Sequence, residues 1–259
     1  DPKFLQQNGY HTAVKGKSHL GLGWKMLPNG EKKQAKSGPT KGDGWQIDYS
    51  KKVTGGPLAI GFDESFIIPA SLDMFPYVYL KNDKSTEWAT VTKAFHRPGP
   101  SGEKFEAINC LRDFAREANQ FIDARSKAKN KPFFLFYSMQ QPHVPRTPHP
   151  RFVGKSGMGP RGDVIVELDW CIGELYKTLE AETGQAVGMH TNGNLRLARN
   201  PERMDEYRNY QCTAETIGVE SHLIDVSAIK KLWPLANMDG LIGALWHPTD
   251  GHISPVDVT

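Results

Sequence analysis

The side chains best placed to do chemistry lie in Gly9-Tyr-His-Thr-Ala-Val-Lys-Gly-Lys-Ser-His-Leu-Gly21. Tyr10, Thr12 and Val14 have the aromatic and β-branched character of a short strand. Gly9 follows the polar run Leu5-Gln-Gln-Asn8 as a helix-ending glycine does. Gly16 and Gly21 let the backbone turn around Lys17 and His19. A lysine offers a compact charge with three donors. An imidazole titrates near neutrality and can hold an oxyanion oxygen or pass a proton. A third candidate, His143, follows Lys131-Pro-Phe-Phe-Leu-Phe-Tyr-Ser138. That unbroken apolar run predicts a strand buried on both faces, interior to a parallel sheet. Ligands of open α/β sheets gather beyond the carboxyl ends of the strands. Lys17, His19 and His143 all follow such ends, so they are expected to meet at one sheet edge. The plainer alternatives are a surface lysine in a glycine-rich turn and a loop histidine set among prolines.

Positioning these residues requires an α/β fold, with a mostly parallel sheet flanked by helices. Phe105, Ile108, Leu111, Ala115, Ala118 and Ile122 recur at helical spacing and predict a helix over 103–125, with Ser101 as its N-cap. Leu168, Ile172, Leu175 and Leu179 predict another over 162–180, with Trp170 packing on the edge of its stripe. A helix followed by the 132–138 strand is half of a crossover unit. Residues 22–100 read as a loop-rich insertion punctuated by Gly55-Gly-Pro57, Pro69, Pro76 and Arg97-Pro-Gly-Pro100. Within it, Phe75–Leu80 is a strand candidate and Asn82-Asp83 a turn. Asp73 reads as a turn cap in preference to a substrate contact, and Asp63 and Asp163 as caps. His11, His96 and His149 read as exposed.

The segment around Lys17 and His19 resembles the second signature of the type I sulfatases, of the alkaline phosphatase superfamily, with Ser18 where that signature has Trp. Lys131 to Pro145 is similar to the family strand that carries a sulfate-contacting His. Gly61-Phe-Asp-Glu64 and Gly162 to Trp170 resemble further landmarks, in the family's order, over about residues 1–180. The resemblance implies a sulfuric ester hydrolase core. Lys17 and His143 would bind sulfate, and His19 would assist at the nucleophile. It also implies calcium, a formylglycine nucleophile, a small-molecule or carbohydrate sulfate ester as substrate, and a secreted or periplasmic location. No Cys/Ser-x-Pro-Ser-Arg run and no paired Asp ligands occur here, so no metal ligand is assigned. The chain is expected to be an incomplete, inactive piece of such an enzyme. An inactive anion- or sugar-binding scaffold, and a phosphodiesterase or phosphonate hydrolase relative, are the alternatives.

Composition sets the outer bounds. The 259 residues suit one α/β domain plus an appendage. A net charge of +3 is too small to imply a nucleic-acid partner. The run Lys32, Lys33, Lys36 and Lys41 reads as a solvated loop. There is no apolar stretch of the roughly 18 residues that a membrane helix needs. Cys110, Cys171 and Cys212 have no zinc or redox spacing, and the first two fall on apolar helix faces as small buried thiols. The expected organisation is a partial catalytic domain over 1–182 and a divergent tail over 183–259. Within that tail, 217–233 could hold a short strand or helix.

Overall fold

The computed structural model describes residues 1–19, 21–28, 31, 43–128, 131–184, 189–190, 192–216, 218–250 and 252–253. The basic run between 32 and 41 lies outside them. The chain divides into two compact units, 1–185 and 186–258.

In the first unit, Asp1 caps helix α1 (Pro2–Gln7) by accepting from the Lys3 amide. Strand β1 (His11–Lys17) follows. Then come β2 (Leu22–Gly23), β3 (Thr54–Gly55), the single turn α2 (Gly56–Ala59) and β4 (Glu64–Ile68). The hairpin β5 (Leu80–Lys81) and β6 (Lys84–Ser85) turns at Asn82, whose φ of 59° suits the tight two-residue connection. A second hairpin joins β7 (Val91–Ala94) to β8 (Pro98–Ser101). Helix α3 (Cys110–Ser126), β9 (Phe133–Ser138) and helix α4 (Gly159–Thr183) complete the unit. The main sheet runs β6-β5-β4-β1-β9. Its three long strands, β4, β1 and β9, are parallel, and the short hairpin adds antiparallel to β4. Helix α3 packs across β1, β4 and β9, and α4 packs on α3.

Because side chains alternate across a sheet, each strand feeds two cores. Phe66 and Ile68 join Phe114, Tyr79 and Phe105 under α3. Val14 and Ile67 point the other way, to Val53, Phe62 and Leu80. Each fully buried side chain of this size contributes roughly 1.5–3 kcal/mol.

Three expectations need correction. The 132–138 run forms the outer strand of the sheet, not an interior one: among the described residues β9 pairs only with β1, and Phe136 is 50% exposed. Apolarity reports affinity for burial, not the number of neighbouring strands. The middle one of the three parallel strands is β1, whose polar residues are buried because they are partnered. The Thr12 hydroxyl donates to the Gly61 carbonyl and to Asp63, while Lys15 pairs with Glu64 at 3.3 Å and Glu117 at 4.0 Å. Second, Ser101 does not cap α3. It lies in β8, buried, with its hydroxyl on the Tyr77 and Gly102 carbonyls, and the helix begins only at Cys110. The Pro-Gly-Pro that reads as a loop makes a strand at an edge, where proline's missing donor is tolerated. Third, His11 is not exposed: it stacks on Phe121 and lies 3.3 Å from Glu64.

The buried Lys15 provides a test. Removing one partner of a buried ion pair leaves the other charge uncompensated and costs about 3–5 kcal/mol. Lys15→Met should therefore lower the unfolding free energy by about 3 kcal/mol in urea denaturation. A change below about 1 kcal/mol would show that His11 and Lys81 are enough to hold Glu64 and Glu117.

The second unit contains β10 (Met189–His190), β11 (Asn194–Ala198), α5 (Pro201–Thr216), β12 (His222–Ile224), α6 (Val226–Leu232), β13 (Gly243–His247) and β14 (His252–Ile253). Both a strand and a helix thus fall within 217–233. Strand β13 sits between β11 and β12, antiparallel to both. Leu245, Ala244, Ala198 and Ile229 are fully buried. Asp225 caps α6 by accepting from the Ala228 amide.

Candidate sulfate site at the carboxyl ends of the parallel strands

The three parallel strands end together. Gly16 stands opposite Ser138, and Lys17 opposite Ile68. The Ser138 hydroxyl donates to the Lys17 carbonyl at 3.0 Å, and the Ser18 amide donates to the Ile68 carbonyl at 3.1 Å. Gly16 makes this closeness possible. Its φ is +134°, and a Cβ there would lie 1.7 Å from the Ser138 carbonyl oxygen.

Lys17 is half-buried, and its ammonium has no ion-pair partner among the described residues. His19 is exposed two residues beyond β1 and likewise has no side-chain partner among the described residues. His143 lies beyond β9, in a loop where the Gln141–Pro142 and Val144–Pro145 bonds are cis. Its Nδ1 is 2.8 Å from the Val144 carbonyl. A carbonyl only accepts, so the proton is assigned to Nδ1 and Nε2 is left for a ligand.

The residue that draws these ends together is Asp73, beyond β4. Its Oδ1 lies 3.8 Å from His143 Nδ1, and the Ser71 hydroxyl is 3.4 Å from the same nitrogen. Burial alone would raise the Asp73 carboxyl. The Ser71 hydroxyl, Asp73's own amide and the charges of His143 and Lys17 outweigh burial and hold it below the ordinary carboxylate range. Asp73 therefore closes its local turn and also faces the histidine. Its Oδ1 is buried without a hydrogen bond, as are Tyr137 Oη, Gln140 Oε1, Gln141 Oε1, Arg146 Nε and Thr147 Oγ1 along the loop that carries His143.

Because the folded carboxyl is depressed, its stabilisation is complete above the unfolded value near 4 and is lost as pH falls through the folded value. The stability gap between the protein and Asp73→Asn should therefore shrink from about pH 4 downwards in stepped-pH urea denaturation. A gap independent of pH would mean that the carboxylate draws nothing from its neighbours.

Other acids and thiols serve the fold. Asp63 accepts from Gln6 and from the Thr12 amide and hydroxyl, and Asp163 accepts from the Gly154 and Ser156 amides. Burial pushes the Cys110 and Cys171 thiols up to about 12, so neither is a nucleophile near neutrality.

The family model described as Sulfatase matches residues 2–186. The chain belongs to the sulfatase family. An N-acetylgalactosamine-6-O-sulfatase of Bacteroides thetaiotaomicron is 34% identical over 215 residues, covering 68% of this chain and 38% of the relative. A solved 6-sulfatase structure, from work on glycosaminoglycan metabolism in the same organism, superposes with a TM-score of 0.54 at 28% identity. That match covers 76% of this chain and 44% of the other. The chain thus spans less than half the length of either sulfatase. A second family model, FAD dependent oxidoreductase, matches residues 149–259. Mitochondrial dimethylglycine dehydrogenase of Rattus norvegicus is 43% identical over 86 residues, 33% of this chain and 10% of that protein. The end that does not continue the sulfatase pattern is thus similar to a different family. The signal for its fold lies in Asn194-Leu-Arg-Leu-Ala198, whose alternation is that of a half-buried strand. The unit's strand pairings are all antiparallel among the described residues. A flavin's phosphates require a parallel strand running into a glycine-rich helix start. The residues present do not make that cradle, and no flavin step is assigned to them.

Proposed function

We propose that residues 1–182 supply the sulfate-binding part of a hydrolase acting on sulfated carbohydrate, and that 22–100 forms one wall of its pocket. The observation that supports this reading is Asp73, whose carboxylate lies 3.8 Å from His143 and is held low by the charges of both His143 and Lys17 near the ends of the parallel strands. The N-acetylgalactosamine-6-O-sulfatase relative points to a 6-sulfated amino sugar. Sulfate transfer builds negative charge on the sulfonate oxygens and on the leaving oxygen. Donors fixed before the reaction stabilise that charge most effectively. Lys17 would hold one sulfate oxygen. His143 would present Nε2 to a second oxygen or to the leaving group, its Nδ1 side held between the Val144 carbonyl and Asp73. His19 would orient the attacking group.

Calcium polarises the sulfate in the enzymes this family resembles, and it takes six to eight oxygen ligands. Among the described residues no three His, Cys, Asp or Glu side chains gather to hold a metal, and Asp73 is the one carboxylate placed at His143. The residues present do not fit that site, so no step is routed through it. No helix of the described residues is long and apolar enough to cross a membrane. The proposed setting is secreted or periplasmic.

The test is an NMR titration of the chain with N-acetylgalactosamine 6-sulfate. Cross-peaks of Lys17, His19 and His143 should shift together, and His143→Ala should weaken binding at least tenfold. Shifts confined to other surfaces would end the assignment. Tighter binding of the 6-phosphate than of the 6-sulfate would favour a phosphoryl-transfer relative instead.

A further inference from the structure

The loop that carries His143 has little of its own to hold it downstream. Gln141 donates its side-chain amide to the Pro145 carbonyl. Past that point Arg146 Nε and Thr147 Oγ1 are buried without a hydrogen bond, and Pro148 has no amide hydrogen to give. His149 is the next residue held, and both α3 and α4 hold it. Its amide donates to Glu167 Oε2 of α4 at 2.9 Å, and its carbonyl accepts from the Phe152 amide at 2.8 Å. Its half-buried ring meets Arg112 Nη1 of α3 at 2.7 Å. Glu167 is fully buried, and the His149 amide is the one hydrogen bond its carboxyl makes among the described residues.

A guanidinium only donates, so Nε2 of His149 must accept. The Arg151 amide points a second donor at Nδ1, 3.3 Å away. A neutral imidazole accepts at one nitrogen, and the shorter contact assigns that role to Nε2. An imidazolium accepts at neither. It would set one N–H against another at 2.7 Å and place a third positive charge beside Arg112 and Arg151. Glu167 faces His149 from α4 but engages its amide, and no carboxylate pairs with the ring among the described residues. Burial, then the charges of Arg112 and Arg151, hold the ring below the ordinary histidine value of 6.5. His149 is therefore neutral near neutrality, and its protonated form appears only as pH falls through the lowered value.

We propose that His149 is a positioning residue for the sulfate site and an acid-sensitive latch. As a neutral ring it fastens the His143 loop to α3 and α4, and on taking a proton it lets go of Arg112 and unseats that loop. The inference rests on the sulfate-site reading above, and its test separates the two. Calorimetry on the full chain would measure N-acetylgalactosamine 6-sulfate binding to the parent, His149→Gln, His149→Leu and Arg112→Met. Glutamine can offer its amide oxygen where Nε2 stood and does not titrate, whereas leucine offers no acceptor. Near neutral pH, His149→Leu and Arg112→Met should each weaken binding about fivefold, and together no further, because they break one contact. His149→Gln should bind within about twofold of the parent. At about pH 5.5 the parent should bind about fivefold more weakly than His149→Gln. Protons taken up by His143 and Glu167 are common to those two proteins and cancel in the comparison. A ratio that stays flat with pH overturns the latch. So does a loss in His149→Leu that glutamine fails to restore, which would mean packing alone. If His149→Leu does not fold, Arg112→Met, an exposed change, carries the same test. Failure of the sulfate-site reading would show separately, as binding unaffected by Lys17→Ala. The latch is then read from the His143 ring signals by NMR near neutral pH. They should move in Arg112→Met and keep the parent's position in His149→Gln, and signals unmoved by Arg112→Met overturn it.

Discussion

Lys17→Ala is expected to lower kcat/KM of the full-length enzyme for a 6-sulfated N-acetylgalactosamine by about 10²–10³-fold, the usual effect of removing one fixed donor to a developing anion. The expectation follows from how this lysine is held. Its strand is the middle one of the three parallel strands, Ser138 binds its carbonyl, and its ammonium forms no ion pair among the described residues. The backbone of Lys17 is thus fixed while its ammonium stays out of any ion pair among the described residues. The same geometry implies that the loss is catalytic and not structural. Lys17→Ala should unfold within a few degrees of the parent, because no ion pair is broken. His96, exposed on the β7–β8 connection, is the control, and His96→Ala should stay within about twofold. Equal losses in Lys17→Ala and His96→Ala, with both proteins folded, would remove Lys17 from the sulfate site.

Gly16→Val should destabilise the first unit by at least about 4 kcal/mol, beyond the ordinary range for a point change. Two penalties combine. The φ of +134° is one that side-chain-bearing residues rarely adopt, and the first added carbon would overlap the Ser138 carbonyl. Backbone cannot swing aside as a lysine tip can, so β1 and β9 would have to separate where the site is assembled. In a unit of this size the shift in Tm should be about 8–16 °C downward, read by circular dichroism. An unchanged Tm would mean that the close approach of β1 to β9 is not what holds the strand ends together. Ser138→Ala, which removes a single hydrogen bond at the same junction, should cost only about 1 kcal/mol.

Parts of this arrangement were legible in the residues and parts were not. Glycine spacing around Lys17, and an apolar run ahead of His143, were enough to place Lys17 at one strand end and His143 beyond another, because turns and buried strands leave local signatures. The interior place of β1, with a strand on either side, was not legible. His-Thr-Ala-Val-Lys-Gly-Lys looks too polar for an interior position until Thr12 and Lys15 find partners on β4 and α3. Asp73 is illegible for a related reason. Its local sequence describes a turn, which it does close, while its second role depends on a histidine from a distant part of the chain. The start of α3 is not legible in the sequence because a helical stripe does not register that the residues before Ala107 are already engaged by the β7–β8 hairpin, as Lys93 is with the Glu103 and Phe105 carbonyls.

The outer position of β9 has a consequence for the chain in solution. An outermost strand offers a line of amide groups to whatever strand arrives first. Here that line runs beside an open phenyl ring, since Phe136 stacks on Phe62 with one side and faces outward with the other. No lysine or proline interrupts Phe133–Ser138 to discourage a visitor. Self-association should therefore rise with concentration, and the effective adversary of a well-behaved preparation is a second molecule of the same chain.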